Sequence, residues 1–249
     1  MTGVQTCALP ISLRGARIGV MTNLQGSEDR HRDVNQVMAD VVAAFESLGA
    51  TIVRFEIAEY DKLSNTVSTS RLEARTVMEK YFATLGTQAP IRSFQELVKA
   101  NRSAVQKTLA DELSVADGMN SLEYKDRTLN REQLRILVAA KIADIKLDAI
   151  LYPLQKILVA PVTAADQTER NGTLSNGTGF PAVTFPGGFS APTATAPIGV
   201  PVGAELLGLD YTEDRLLAYA YAYEQAIRPR RPPLATPPLP GEQARLRQP

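Results

Sequence analysis

RIGVMTNLQGSEDRHRDVNQVMADVVAAFESLGATIVRFEI, residues 17–57, is the stretch on which the fold turns. Arg17-Ile-Gly-Val-Met21 comes just after a glycine and runs into the polar cluster Asn23 to Ser27, which marks a short buried strand and its exit loop. From Asp33 onward apolar residues fall at Val34, Val37, Met38, Val41, Val42, Phe45 and Leu48. That spacing puts them on one face of a helix, and Gly49 supplies a left-handed stop. Thr51-Ile-Val-Arg-Phe-Glu-Ile57 then alternates and is rich in β-branched residues, so it reads as a second strand. Strand, helix, strand in this order is a βαβ crossover, and it predicts a parallel pair with the helix packed on one sheet face.

Outward from that unit, residues 70–146 read as helical. One helix is expected over Arg71 to Leu85, and a second opens at a capping box, Ser93 with Glu96 three residues on, and runs through Leu109. A third is expected over Asn130 to Ile145, with Asn130 as its cap, Leu134, Leu137, Val138 and Ile142 on its apolar face, and Lys141 and Lys146 at the negative end of its dipole. Asp117 to Arg127 is polar and reads as loop. Asp148-Ala-Ile-Leu-Tyr-Pro153 is a buried strand ending at a proline. The stretch NGTLSNGTGFPAVTFPGGFS, residues 171–190, reads as tight turns around the strand Ala182 to Phe185, with Gly177, Gly179, Gly187 and Gly188 supplying turn geometry rather than ligand contacts. Another strand follows over Val200 to Gly208. A last helix begins at Thr212 as cap and sets Leu216, Leu217, Ala220, Tyr223 and Ile227 on one face.

Composition narrows the chemistry. Hydrophobic residues make up 44% of the 249 and charged ones 22%, the balance of a water-soluble globular domain. Lys plus Arg and Asp plus Glu both number 27, so there is no basic excess of the kind a nucleic-acid partner requires. No apolar run is long enough to cross a bilayer. The single cysteine, Cys7, allows no disulfide, and the single histidine, His31, would have to serve any Ser-His-Asp or Cys-His arrangement alone. Sitting in SEDRHRDVNQ, His31 is expected to be a solvated side chain ahead of a helix rather than a general base. A metal site with one histidine would need carboxylates to complete it, and none is expected.

Three segments carry a resemblance. SNGTGFPAVTFPGGF (175–189) is close to N-x-x-G-x-P-A-x-x-x-P-x-G-F, PVGAELLGLDYTEDRLLAYAYAYEQA (201–226) is close to an L-P-V-G-x-x-x-x-G segment followed by an E-x-x-L-L helix, and Arg-Arg-Pro-Pro closes the region at 230–233. These patterns resemble the amidase signature family. LRGARIGVMTN (13–23), its helix and GATIVRFEI (49–57) look like the point where the second half of such amidases begins, and DAILYPL (148–154) is similar to D-A-L-x-x-P-T, with Leu154 where the family usually has threonine. The resemblance spans Leu13 to Pro233. It implies an α/β fold with a mixed central sheet flanked by helices, incomplete here, whose loose sheet edge would expose unpaired strand and apolar surface.

The resemblance also implies amide hydrolysis through a serine acyl-enzyme, with a second serine and a lysine activating the nucleophile. That apparatus sits in a Gly-Gly-Ser-Ser-Gly-Gly-Ser type of segment and in a lysine upstream of it. No such segment occurs here: Ser68 with Ser70, and Ser64 with Lys62, lack the glycines whose amides would make an oxyanion hole. The chain is therefore expected to carry no catalytic residue and to be inactive alone. For substrate binding, Pro153 and Leu154 just past a strand end, and Asn176 and Thr178 in the loop that the family sets near the acyl site, are the candidates, each weighed against a turn or packing role. No metal or organic cofactor is implied, since serine–lysine hydrolysis uses neither. The expected partners are a small-molecule amide in the complete protein and the missing N-terminal half of the same domain, with no nucleic acid and no membrane. The alternatives are an A-type subunit of a tRNA-dependent amidotransferase, or a noncatalytic scaffold or binding protein of amidase architecture.

The beginning MTGVQTCALPIS matches nothing after it, and Thr2 to Ile11 read like one frame of a widely used sequencing adapter. Residues 1–12 are accordingly expected to be a non-native leader, 13–233 the C-terminal part of an amidase domain, and 234–249 an extended proline-rich tail. With no address legible, the cytoplasm stands as the default compartment.

Overall fold

The structure is a computed structural model and describes residues 12–103, 105–164 and 166–233. The leader up to Ile11, Cys7 included, and the tail at 234–249 lie outside the described residues.

The βαβ unit forms as its pattern predicts. Strand β1 (Arg17–Met21) pairs in parallel with β2 (Thr51–Phe55), Arg17 opposite Thr51 and Met21 opposite Phe55. Helix α1 (Arg32–Ser47) crosses between them and buries Val34, Val37, Met38, Val41, Val42 and Phe45. Gly49 takes φ +100°, and a Cβ there would sit 2.7 Å from Cγ of Arg14, so the turn into β2 is open only to glycine.

The middle segment contains α2 (Tyr60–Ser64), α3 (Ser70–Ala83), α4 (Phe94–Ala100), α5 (Gln106–Ser114) and α6 (Leu122–Asp144). Three sequence expectations fail here. The helix expected from Ser93 through Leu109 is split, because Asn101 adopts a left-handed φ of 49° that ends α4. Its start is as expected on the serine side: Ser93 Oγ accepts the Glu96 N–H at 3.0 Å, while Glu96 Oε2 accepts from Arg92 instead of closing the box on Ser93. The polar stretch 117–127 is not all loop, and Asn130 is not a cap. The 23-residue α6 begins at Leu122, where Ser121 Oγ accepts the Tyr124 N–H at 3.1 Å, and Asn130 lies inside it with Nδ2 donating to Thr66 Oγ1. The early turns carry Leu122 and Leu129 exposed at 72% and 61%, which hides the amphipathic period from the sequence. Replacing Ser121 by alanine should destabilise the chain by about 1 kcal/mol, read as a lowered urea midpoint at unchanged slope.

Strand β3 (Ala149–Pro153) joins β1 in parallel, Ile18 opposite Ala149. Residues 171–179, read as turns, contain the six-residue helix α7 (Thr173–Thr178), closed by Gly179 at φ +67°. Strand β4 (Ala182–Phe189) runs four residues beyond the expected end and pairs antiparallel with β5 (Pro201–Leu207), which pairs antiparallel with β3. The order is β2-β1-β3-β5-β4, a five-stranded mixed sheet.

Alternate strand residues face opposite sides. Ile18, Val20, Leu151, Phe185, Ala204 and Leu206 face α1 and the last helix, α8 (Glu213–Ile227). Met21, Ile150, Tyr152 and Leu207 face α6 and α7. On α8 the expected face is corrected in part: Leu216, Ala220 and Tyr223 are buried, but Leu217 and Ile227 are 52% and 45% exposed, and Ala218 and Ala222 are buried in their place. Small alanines on that face suit a helix lying against strand and helix backbone together. Thr212 precedes α8 but does not cap it with its side chain, because its hydroxyl donates to Leu209 O at 2.6 Å.

Candidate functional site

Parallel strands β1, β2 and β3 end on one side, and the loops that leave them are tied by side chains from distant parts of the chain. Asn23, after β1, accepts the Ile57 N–H at 2.9 Å through Oδ1 and donates to Ile57 O at 3.2 Å, which fixes the exit from β2. Asn171, 3% exposed, donates through Nδ2 to Leu24 O at 2.8 Å and to Pro153 O at 2.9 Å, and its N–H donates to Leu154 O. Lys156 Nζ donates to Asn23 O at 2.7 Å.

His31 belongs to this network, which corrects the expectation of a solvated side chain. It is 3% exposed. Its Nδ1 accepts the Glu28 N–H at 2.9 Å, so the ring proton sits on Nε2, 2.6 Å from Glu169 Oε2. Arg30 pairs with the other Glu169 oxygen at 3.0 Å. The loop through Gly26 closes over the ring so tightly that a Cβ there would meet it at 2.1 Å. Glu169 itself holds φ 56°, a conformation unusual for a side chain of its size, which the His31 and Arg30 contacts keep in place.

Of the four candidate residues, Pro153 ends β3 and Leu154 follows it, while Asn176 and Thr178 lie in α7. Pro153 is buried at the end of β3, with its carbonyl held by Asn171. Leu154 is half-buried and lies over Gly203, where a Cβ would come within 2.6 Å of Leu154 Cδ1. Beside them Tyr152 donates to the buried Glu205 at 2.8 Å. Burial first, and then the Glu205 carboxylate, push the Tyr152 hydroxyl well above its ordinary value, so it remains a protonated donor. Thr178 is 4% exposed, and its hydroxyl donates to Leu174 O at 2.6 Å inside α7. Asn176 is exposed, and its carbonyl accepts from Arg131 at 2.8 Å.

Asn176 opens onto a polar cavity of 440 Å³ with Ser68, Thr69, Ser70, Glu73 and Arg131. The serines were legible in the sequence only as a pair lacking its glycines, and their hydroxyls lie 3.1 Å apart. Among the described residues neither is hydrogen-bonded to a lysine or histidine. Glu73 and Arg131 carried no sequence signal, because they come from α3 and α6 and each reads there as an ordinary charge on a helix. A second groove, of 610 Å³, is apolar and follows β4 and β5, with Phe185, Phe189, Ile198 and Val202 in its walls and the Arg231 guanidinium 4.9 Å over the Phe189 ring. Among the described residues no group of three or more His, Cys, Asp or Glu is placed to hold a metal ion, and no helix is long and apolar enough to cross a membrane.

A mixed sheet covered by helices on both faces, with its loops gathered at the strand ends, defines an α/β domain. Residues 5–217 match the sequence profile of the amidase family, and the chain belongs to that family. It is 27% identical over 237 residues to the indoleacetamide hydrolase of Rhizobium radiobacter, covering 88% of this chain and 48% of that protein. It is 26% identical to the mandelamide hydrolase of Pseudomonas putida, over 91% of this chain and 47% of that protein. The A-type subunit of the glutamyl-tRNA(Gln) amidotransferase from a Synechococcus strain is 26% identical, over 97% and 49%. Among solved structures, the native peptide amidase of Stenotrophomonas maltophilia superposes with a TM-score of 0.67 at 27% identity, over 90% of this chain and 45% of that one. The chain thus spans about half the length of the curated relatives it matches.

Proposed function

We propose that this chain supplies the C-terminal half of an amidase domain whose complete form hydrolyses a small carboxamide through a serine acyl-enzyme. The observation that carries the reading is the half-length match to amidases of known fold, together with a sequence in which no Gly-Ser-rich nucleophile segment occurs. In this reading the half present is scaffold and substrate wall. Pro153 and Leu154 form one part of that wall, Asn176 and Thr178 another, and all four act by shape and hydrogen bonding rather than by chemistry. The remaining half of the domain would seat against the outer edge of β4, which has no strand partner among the described residues, and over the apolar groove beside it.

Loss of a nucleophile and its base together removes on the order of a millionfold of rate in serine hydrolases. The purified chain should therefore release no ammonia above the buffer rate from indoleacetamide, mandelamide or a peptide amide. Turnover that disappears on changing Ser68 or Ser70 to alanine would overturn the proposal. A second reading, the A-type subunit of a tRNA-dependent amidotransferase, is favoured by the 97% coverage of this chain in the Synechococcus comparison. It predicts that the completed protein hydrolyses glutamine only with partner subunits present.

A further inference from the structure

The cavity beside Asn176 has features that the amidase reading does not use. It opens at the N-terminus of the 14-residue α3, whose first amides, on Ser70 and Arg71, have no backbone acceptor among the described residues. Thr69 lines the cavity and is 4% exposed, yet its hydroxyl makes no hydrogen bond among the described residues, while its carbonyl is taken by Leu72 and Glu73. A hydroxyl that lines a cavity without a protein partner is open to a ligand or to water. Arg131 uses one guanidinium nitrogen on Asn176 O, and its other donors have no partner among the described residues. Glu73 accepts the Tyr124 hydroxyl at 3.0 Å through Oε1, which leaves Oε2 without one. The cavity therefore combines one free positive end, strengthened by the helix dipole, with one free carboxylate oxygen.

A simple anion would be drawn by Arg131 and repelled by Glu73, and a simple cation would meet the reverse. A molecule that carries both charges a few bonds apart satisfies both walls at once. At 440 Å³ the cavity is in the size range of small-molecule sites. We propose that it binds a compact zwitterion of the amino-acid kind, with the carboxylate on Arg131, the Thr69 hydroxyl and the α3 amides, and the ammonium on Glu73. Asn176 is the one residue shared with the substrate wall proposed above. The inference stands without that wall, because binding is read with no turnover.

The test is calorimetric and amide-resolved NMR titration of the full chain, carried on a soluble fusion partner, with glycine, acetate and methylammonium as probes. Glycine should saturate with shifts at residues 68–73 and 176, and should bind about tenfold more tightly than either single-charge probe, the worth of one charged hydrogen bond. Glu73→Gln, which can keep its bond to Tyr124, should weaken glycine about tenfold and bring acetate up to match it. Arg131→Gln should weaken glycine and favour methylammonium. If that variant loses its circular-dichroism signal, the Glu73→Gln selectivity change decides alone. Acetate binding as well as glycine in the parent, no shifts at 68–73, or glycine affinity indifferent to Glu73→Gln would each overturn the proposal.

Discussion

Phe45→Ala should destabilise the chain by about 3–5 kcal/mol, a loss comparable to the whole stability of many domains. Phe45 is 0% exposed in the last turn of α1. Its ring centroid lies 6.0 Å from Phe185 on β4 and 5.6 Å from Tyr223 on α8, and those two rings meet edge-on at 5.0 Å. One side chain thus joins the crossover helix, an edge strand and the last helix. Alanine would remove the buried ring and leave a cavity whose far walls are two aromatic rings pinned by their own contacts. Tyr223 cannot move in to fill it without giving up the bond from its hydroxyl to Gly187 O at 2.6 Å. That buried hydroxyl is pushed up to about 12, chiefly by desolvation and then by Asp40, so it stays a donor across the neutral range. Urea denaturation should show an early midpoint or no folded baseline. Phe45→Leu, which retains more volume, should recover a good part of the loss. The Phe45 and Tyr223 alanine variants should be non-additive in a double-mutant cycle, since each already breaks the shared contact. A Phe45→Ala chain that melts with the parent would show that this aromatic group does not hold the three elements together.

What the sequence made legible was the part of the fold written in local period. Six of the seven apolar positions expected on the first helix are buried within α1, and Leu48, just past its end, is half-buried, because a 3.6-residue repeat bounded by a polar entry and Gly49 leaves one arrangement open. The parallel pair β1 and β2 follows from the same unit. The amidase patterns located β3, β4, β5 and α8 to within a few residues. Legibility failed where a partner distant in sequence decides. His31 reads as solvated because the carboxylate that takes its Nε2 proton, Glu169, lies 138 residues away. The start of α6 is lost because exposed Leu122 and Leu129 break the amphipathic stripe, and because Ser121 acts as cap without an acidic residue three positions later to announce it. The polar cavity is assembled from α3, α6 and α7, and no segment of the sequence holds enough of it to be noticed.

Asn171→Leu should have the second large effect, and it probes the strand-end loops where the candidate residues Pro153 and Leu154 sit. The substitution nearly keeps the shape and removes the Nδ2 group that donates to both Leu24 O and Pro153 O. Leu24 is 2% exposed and Pro153 is buried, so neither carbonyl has ready access to water in exchange. Each carbonyl left without a donor costs about 1–3 kcal/mol, giving a loss of roughly 2–6 kcal/mol. The damage should be local in its first stage. The Leu24 loop, the Leu154 loop and the segment leading into α7 are joined at this one side chain, whereas β1 and β3 remain paired through their own ladder. Hydrogen exchange should therefore quicken at residues 22–28 and 154–172 well before it does at Val20 or Leu151. Asn171→Asp should do worse near neutral pH, because a carboxylate would then face two carbonyl oxygens, and it should recover as acid protonates the group and restores one donor. A melting temperature for Asn171→Leu within about 2 °C of the parent would mean that the loops are held by their backbone bonds alone. Pro153 and Leu154 would in that case owe their position to β3 and Gly203, not to the asparagine.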